Sequence, residues 1–185
     1  MSFQGVIPLR AVTLIGLVSV PLLAGCAGTP PKADFIQRTA AFRITAGDNV
    51  KVTVQGAHNV KMLPYEQERF AEEIQAKVAQ GMQLNLDVGS PRSYEIDVLV
   101  TRYAKGNAFA RAMLAGLGQM HIDGNVSVFQ MPQHQLLESF GLSKTFAWGG
   151  IYGASTSIKD IENAYAEGIE RTVTGAGGQK PGSGT

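Results

Sequence analysis

His121, Asp123 and Ser127 have the identities of a general base, its orienting carboxylate and a hydroxyl nucleophile. Their even spacing puts all three on one face of a strand. A nucleophile and its base must come within hydrogen-bond reach. Ser127 instead lies roughly 20 Å along the strand from His121, at about 3.3 Å per residue, so the set reads as a solvated strand face. His58 and His134 fall among loop-like residues, with no cysteine or second histidine at metal-ligand spacing. Glu66, Glu68, Glu72 and Glu73 could bind a cation by type, but their positions are those of the wet face of a helix. Gly116-Leu117-Gly118 lacks the third glycine of a dinucleotide-binding turn. There is no Gly-x-Ser-x-Gly elbow, phosphate-binding loop or His-Glu-x-x-His helix. The sequence therefore implies no enzyme, no cofactor and no metal.

The one residue whose setting points to definite chemistry is Cys26, the only cysteine of the 185 residues. It follows an uncharged, mostly apolar run from Ala11 to Gly25, itself preceded by a single charge, Arg10. That run is shorter than the roughly 20 residues a membrane-spanning helix needs. A basic start, a short apolar stretch and a small-residue exit make a signal peptide over 1–25. Its exit, Leu23-Ala24-Gly25-Cys26, resembles the lipobox of bacterial lipoproteins. The resemblance implies a diacylglycerol thioether on Cys26, cleavage before it and acylation, palmitate included, of the new amine. A second residue that is Ala27 rather than Asp implies sorting to the outer membrane, with the protein facing the periplasm. An unpaired cysteine in an exported protein needs a role, and several acyl chains would anchor firmly where one would not.

Removing 1–25 leaves 160 residues and takes Arg10 from the 16 cations, so that 15 face 15 acidic residues. A formally neutral chain with no basic stripe argues against a nucleic-acid partner. This length suits one domain, and the lone cysteine means that its core holds without disulfides. Residues 26–33, with Pro30 and Pro31, form a lipidated tether. Residues 175–185, which have no apolar side chain larger than alanine, form a disordered tail. The domain between them covers 34–174.

Within it, Phe42 and Ile44, then Val50, Val52 and Val54, alternate with polar residues around Gly47-Asp48-Asn49, the pattern of a hairpin. Phe70, Ile74, Val78 and Met82 recur every fourth residue after Pro64, an amphipathic helix with Glu73 and Lys77 as an i,i+4 pair. Tyr94 to Val100 and Ile122 to Val128 return to period two, and after a turn at Pro132-Gln-His-Gln135 a further strand occupies Leu136 to Phe146. Ser157 with Asp160 caps a second helix carrying Ile158, Ile161, Tyr165, Ile169 and Val173, which ends at Gly175. The order is that of an α+β fold, a mostly antiparallel sheet with two amphipathic helices packed on one face. Ile74, Val78, Ile161 and Tyr165 belong between helices and sheet.

Residues 106–120 fit neither period. They carry one charge, Arg111, among alanine, glycine, leucine and methionine. Fifteen residues lie where a plain hairpin needs about 2–5. Gly106, Arg111, Met113, Gly116, Gly118 and Met120 mark this segment as the candidate interaction surface for a partner or a membrane, with Arg111 free to meet a phosphate or carboxylate. Gly106, Arg111, Gly116, Gly118, Val126 and Val128 also carry a resemblance: Tyr94 to Gly175 is similar to the bacterial lipoproteins grouped as domain of unknown function 4410. Pro132-Gln-His-Gln135 stands where that family has an Asp/Gly turn. The resemblance implies an envelope location and an α+β fold, and lends no activity. The function expected is thus that of a non-enzymatic envelope lipoprotein. It would be held to the membrane through Cys26 and bind a protein or glycan partner. A cell-wall or glycan hydrolase is the alternative class.

Overall fold

The computed structural model describes residues 30–39, 42–86, 89–113, 117–147 and 150–175. Cys26, the expected signal peptide over 1–25, Gly116 and the residues after Gly175 lie outside them. Five strands and four helices follow in the order β1 (Asp34–Arg38), β2 (Asn49–Gly56), α1 (Pro64–Gln83), β3 (Ser93–Ala104), α2 (Ala108–Met113), β4 (Met120–Met131), β5 (Gln135–Phe146), α3 (Gly150–Ser155) and α4 (Ile158–Thr174). The fold is α+β. The strands form one sheet in the order β1-β5-β4-β3-β2, antiparallel except for the β2–β3 pair.

The sequence explains the two long helices. Pro64 opens α1, where a missing N–H costs nothing, and the Glu66 carboxylate accepts the Leu63 N–H at 3.0 Å. Phe70, Ile74, Val78 and Met82 then form the buried stripe. In α4, both the N–H and the hydroxyl of Ser157 donate to Asp160 Oδ2, at 2.7 and 2.8 Å, and Gly175 ends the helix at φ 79°. The two helices pack on each other and over one sheet face. There they meet the inward residues Val52, Ile96, Val98, Val126, Val128 and Phe140. Ile74, Val78, Ile161 and Tyr165 are all fully buried. Tyr165 sets its ring edge-on to Phe70 at 5.7 Å. Its hydroxyl comes so close to Gly124 that a side chain there would strike it at 2.7 Å.

Three expectations are corrected. Residues 42–54 form no hairpin: β2 runs parallel to β3, with α1 as the crossover, the connection a parallel pair requires. Phe42 and Ile44 lie in irregular chain, where the Ile44 N–H reaches Val173 O at 3.0 Å. Edge strand β1, with all five residues exposed, has no apolar alternation to announce it. Glu66 is not on a wet face. It is buried and paired with Lys105 at 2.6 Å. Nor do Glu73 and Lys77 pair along α1. Glu73 accepts from Asn163 at 2.7 Å, and Lys77 donates to Glu167 at 3.3 Å, both across to α4.

Glu138 of β5 faces the helices and is 1% exposed. Arg38 of β1 stands 3.2 Å away, but the carboxylate oxygens accept no hydrogen bond among the described residues. Burial pushes this carboxyl above the usual glutamate range, and Arg38 offsets only part of that. A carboxyl raised in the folded state binds its proton more tightly there, so the stability it contributes is lost as pH rises through the folded value. Relative to Glu138→Gln, the wild-type protein should therefore gain stability as pH falls from neutral toward about 4.3, the ordinary glutamate value. Urea unfolding of both proteins across that range checks it, and a constant difference would contradict the assignment.

Candidate interaction surface

At its far end β3 enters a polar network that joins three elements. Arg69 of α1 donates to both oxygens of Glu162 on α4, at 2.7 and 2.9 Å. The Tyr103 hydroxyl donates to Glu162 Oε1 at 2.5 Å. Burial and the Glu162 carboxylate hold the Tyr103 phenol far above its usual range, so it stays a donor at any physiological pH. From this fixed root the chain leaves the sheet through Lys105 and Gly106.

Gly106 and Gly118 both sit at φ 65°, a conformation that suits glycine and strains other residues. At Gly106 a Cβ would collide with the Gly118 carbonyl oxygen, and at Gly118 with the Asn107 carbonyl oxygen. The two glycines close the neck of the excursion, where the Asn107 N–H donates to Gly118 O at 3.1 Å. Asn107 also caps α2, its side-chain oxygen accepting the Ala110 N–H at 3.1 Å.

Arg111 is 3% exposed. Its Nε donates to Gly153 O at 2.8 Å, Nη1 to Gly118 O at 2.8 Å and Nη2 to Thr156 O at 3.1 Å. One guanidinium thereby ties α2, the neck, α3 and the approach to α4 into one unit. This corrects the expectation that Arg111 meets a partner's phosphate or carboxylate, because the side chain is buried and each of its three nitrogens already donates to a carbonyl. Met120 is likewise buried, as the first inward residue of β4. Of the six residues marked in the sequence, Gly106 and Gly118 shape the neck, Arg111 and Met120 lie inside, and Gly116 is outside the described residues. Met113 alone presents a large apolar side chain, 67% exposed.

Met113 does not stand alone. Phe109 is 75% exposed, Leu117 52% and Ile151 91%. Phe109 and Met113 are one helical turn apart on α2, and α3, which carries Ile151, packs against α2. The i,i+4 pair of Phe109 and Met113 after an asparagine cap was readable in the sequence. Ile151, some forty residues on, is brought near only through the fold, by the packing of α3 on α2.

The strand-face histidine has partners other than the expected serine. His121 contacts Asp123 Oδ1 through Nε2 at 2.7 Å and Thr145 Oγ1 through Nδ1 at 2.6 Å. The bond to Thr145 ties β4 to β5, the one to Asp123 stays within β4, and Ser127 takes no part in either. His134 stacks on Phe129 with ring centroids 4.1 Å apart. Among the described residues no cluster of three His, Cys, Asp or Glu is placed to hold a metal. Nor is any described helix long and apolar enough to cross a membrane.

No protein-family model and no curated protein matches this chain. Solved structures do. The dodecamer of PelC from Paraburkholderia phytofirmans superposes with a TM-score of 0.51 at 8% identity, over 72% of this chain and 95% of PelC. The chain is similar in fold to PelC. A variant PelC dodecamer gives a TM-score of 0.49 at 9% identity, over 78% of this chain and 98% of that one. A candidate lipoprotein of Caulobacter crescentus gives 0.36 at 16% identity, over 71% and 93%. At these identities the likeness to PelC concerns the fold, and the site must be argued from this chain's own residues.

Proposed function

We propose that this protein is a lipid-anchored component of the bacterial envelope that works by binding and not by catalysis. Cys26 is the lipid acceptor, and the α2–α3 face is the contact surface. The observation that carries the binding role is the exposure of Phe109, Met113, Leu117 and Ile151 on segments that one buried arginine joins. Exposed apolar side chains gathered in a patch usually have something to cover them. The lipobox at Leu23-Ala24-Gly25-Cys26, the Ala27 that follows and the resemblance to the domain of unknown function 4410 lipoproteins support the address. That address is the periplasmic side of the outer membrane. PelC, similar in fold, forms a dodecamer, and assembly with copies or with other envelope proteins belongs to the same reading.

Cys26→Ala tests the anchor. The expected result is an uncleaved or mislocalised precursor, seen by envelope fractionation and by the mass of the intact protein. A variant that is cut and sorted like the wild type would remove lipidation from the proposal. Crosslinking of the lipidated protein in intact envelopes tests the contact role, with adducts expected at residues of the α2–α3 face.

A further inference from the structure

The exposed unit of α2 and α3 has a chemistry that narrows what covers it. From Val98 to Ile122 and from Ser139 to Lys159 the sequence contains no aspartate or glutamate. Both connections that build the unit fall inside these stretches, in a chain with 15 cationic and 15 acidic residues after residue 25. Lys105, which pairs with the buried Glu66, and Lys159 are exposed at its two approaches. An apolar tip free of carboxylates and flanked by lysines is complementary to a lipid surface, where acyl chains lie beneath anionic headgroups.

The tether gives this surface a position. Pro31 packs so closely on Gly168 of α4 that a side chain at Gly168 would meet it at 2.8 Å. From Cys26 to Pro31 the chain can span at most roughly 17 Å, at about 3.3–3.6 Å per residue. From Gly168 back along α4 to its first residue, Ile158, is about 15 Å at 1.5 Å per residue, and Thr156, where Arg111 fastens the unit, is two residues before it. A lipid on Cys26 can therefore come close to the level of α3 and cannot hold the domain far from the bilayer.

We infer that Phe109, Met113, Leu117 and Ile151 seat in the headgroup boundary of the membrane that receives the Cys26 lipid. They give the domain a second contact and fix its orientation. The inference rests on the lipid anchor proposed above and names the bilayer itself as the partner of the α2–α3 face. Arg111 acts as a positioning residue: it holds the two short helices together so that side chains from both reach one surface. Two contacts, one covalent and one through side chains, fix a domain's tilt where a single flexible tether leaves it free.

The test uses the lipidated full-length product in vesicles of phosphatidylethanolamine and phosphatidylglycerol. Because lipidation occupies Cys26, single cysteines at Ile151→Cys, Met113→Cys and Leu99→Cys can each carry an environment-sensitive fluorophore. Leu99 is exposed on the opposite sheet face and serves as the reference. The expected result is a blue-shifted emission at positions 151 and 113. Quenching by acyl-chain-linked quenchers should be several-fold stronger there than at position 99. All three sites are exposed, so folding should survive, which thermal unfolding checks. Equal quenching at the three positions overturns the inference, and so does shielding at 151 that appears without lipid, which would point to a second copy. Failure of the protein to enter vesicles at all would instead strike the anchor at Cys26, so the two failures are distinguishable.

Discussion

Truncating Ile74 or Ile161 to alanine should lower the unfolding free energy by about 2–5 kcal/mol, the range for a buried aliphatic side chain in a core that cannot fully collapse. Both are fully buried, one on α1 and one on α4, and these helices close over a sheet face already filled by Ile96, Val98, Val126 and Phe140. Three features limit relaxation around the cavity. The helices are pinned to each other by Arg69 to Glu162, Lys77 to Glu167 and Asn163 to Glu73. Each helix start is fixed by its own carboxylate cap. The sheet is held by register on both sides of β4. Urea denaturation should show the midpoint falling with an unchanged slope, the mark of lost stability and not of an altered unfolded state. A loss below roughly 0.5 kcal/mol would be a surface effect and would contradict the packing.

The same residues show what could be read before the fold was seen. The four-residue period of Phe70 to Met82 and the alternation in β3 and β4 are local signals. Each comes from an element that buries one side only, so the helices, the inward faces and the α+β class were legible. The order of the strands was not. Whether Val50 to Val54 turns back on its neighbour or crosses to run beside β3 depends on where α1 lands, which no local pattern encodes. β1 escaped because an exposed edge strand has no buried side to impose alternation. Glu66 and Arg111 were misread for a common reason. A charged side chain looks solvated in sequence unless its partner is visible, and the partners here are Lys105 and the carbonyls of residues 118, 153 and 156. The candidate surface was half legible: the odd composition of 106–120 marked the place, while Ile151 and the inward turn of Arg111 came from the fold.

Asp48→Ala should be nearly as costly as a core truncation, on the order of 3 kcal/mol, because it strands buried donors and not merely volume. The Asp48 carboxylate is almost wholly buried and accepts the Thr45 N–H at 2.9 Å, the Thr45 hydroxyl at 3.0 Å and the Arg92 N–H at 2.9 Å. The Arg92 guanidinium stands 3.5 Å from Oδ2. This one side chain fastens the irregular stretch that carries Ile44 into the core to the start of β3, replacing the hairpin bonds this stretch does not make. Burial pushes the Asp48 carboxyl up, but the bonds from Thr45 and Arg92 outweigh it, and the group ends below the usual aspartate range. A depressed carboxyl contributes stability that is complete above the unfolded value, about 3.9, and is lost as pH falls through the folded one. The difference between wild type and Asp48→Ala should therefore hold steady from neutral pH down to about 5 and shrink only in stronger acid. Asp48→Asn separates charge from shape, since the amide keeps an acceptor for the Thr45 N–H but brings two donors against those of Arg92. It should recover part of the loss and show no acid-dependent convergence of its own. If Asp48→Ala unfolds like the wild type at neutral pH, this carboxylate does not hold the entry to β3.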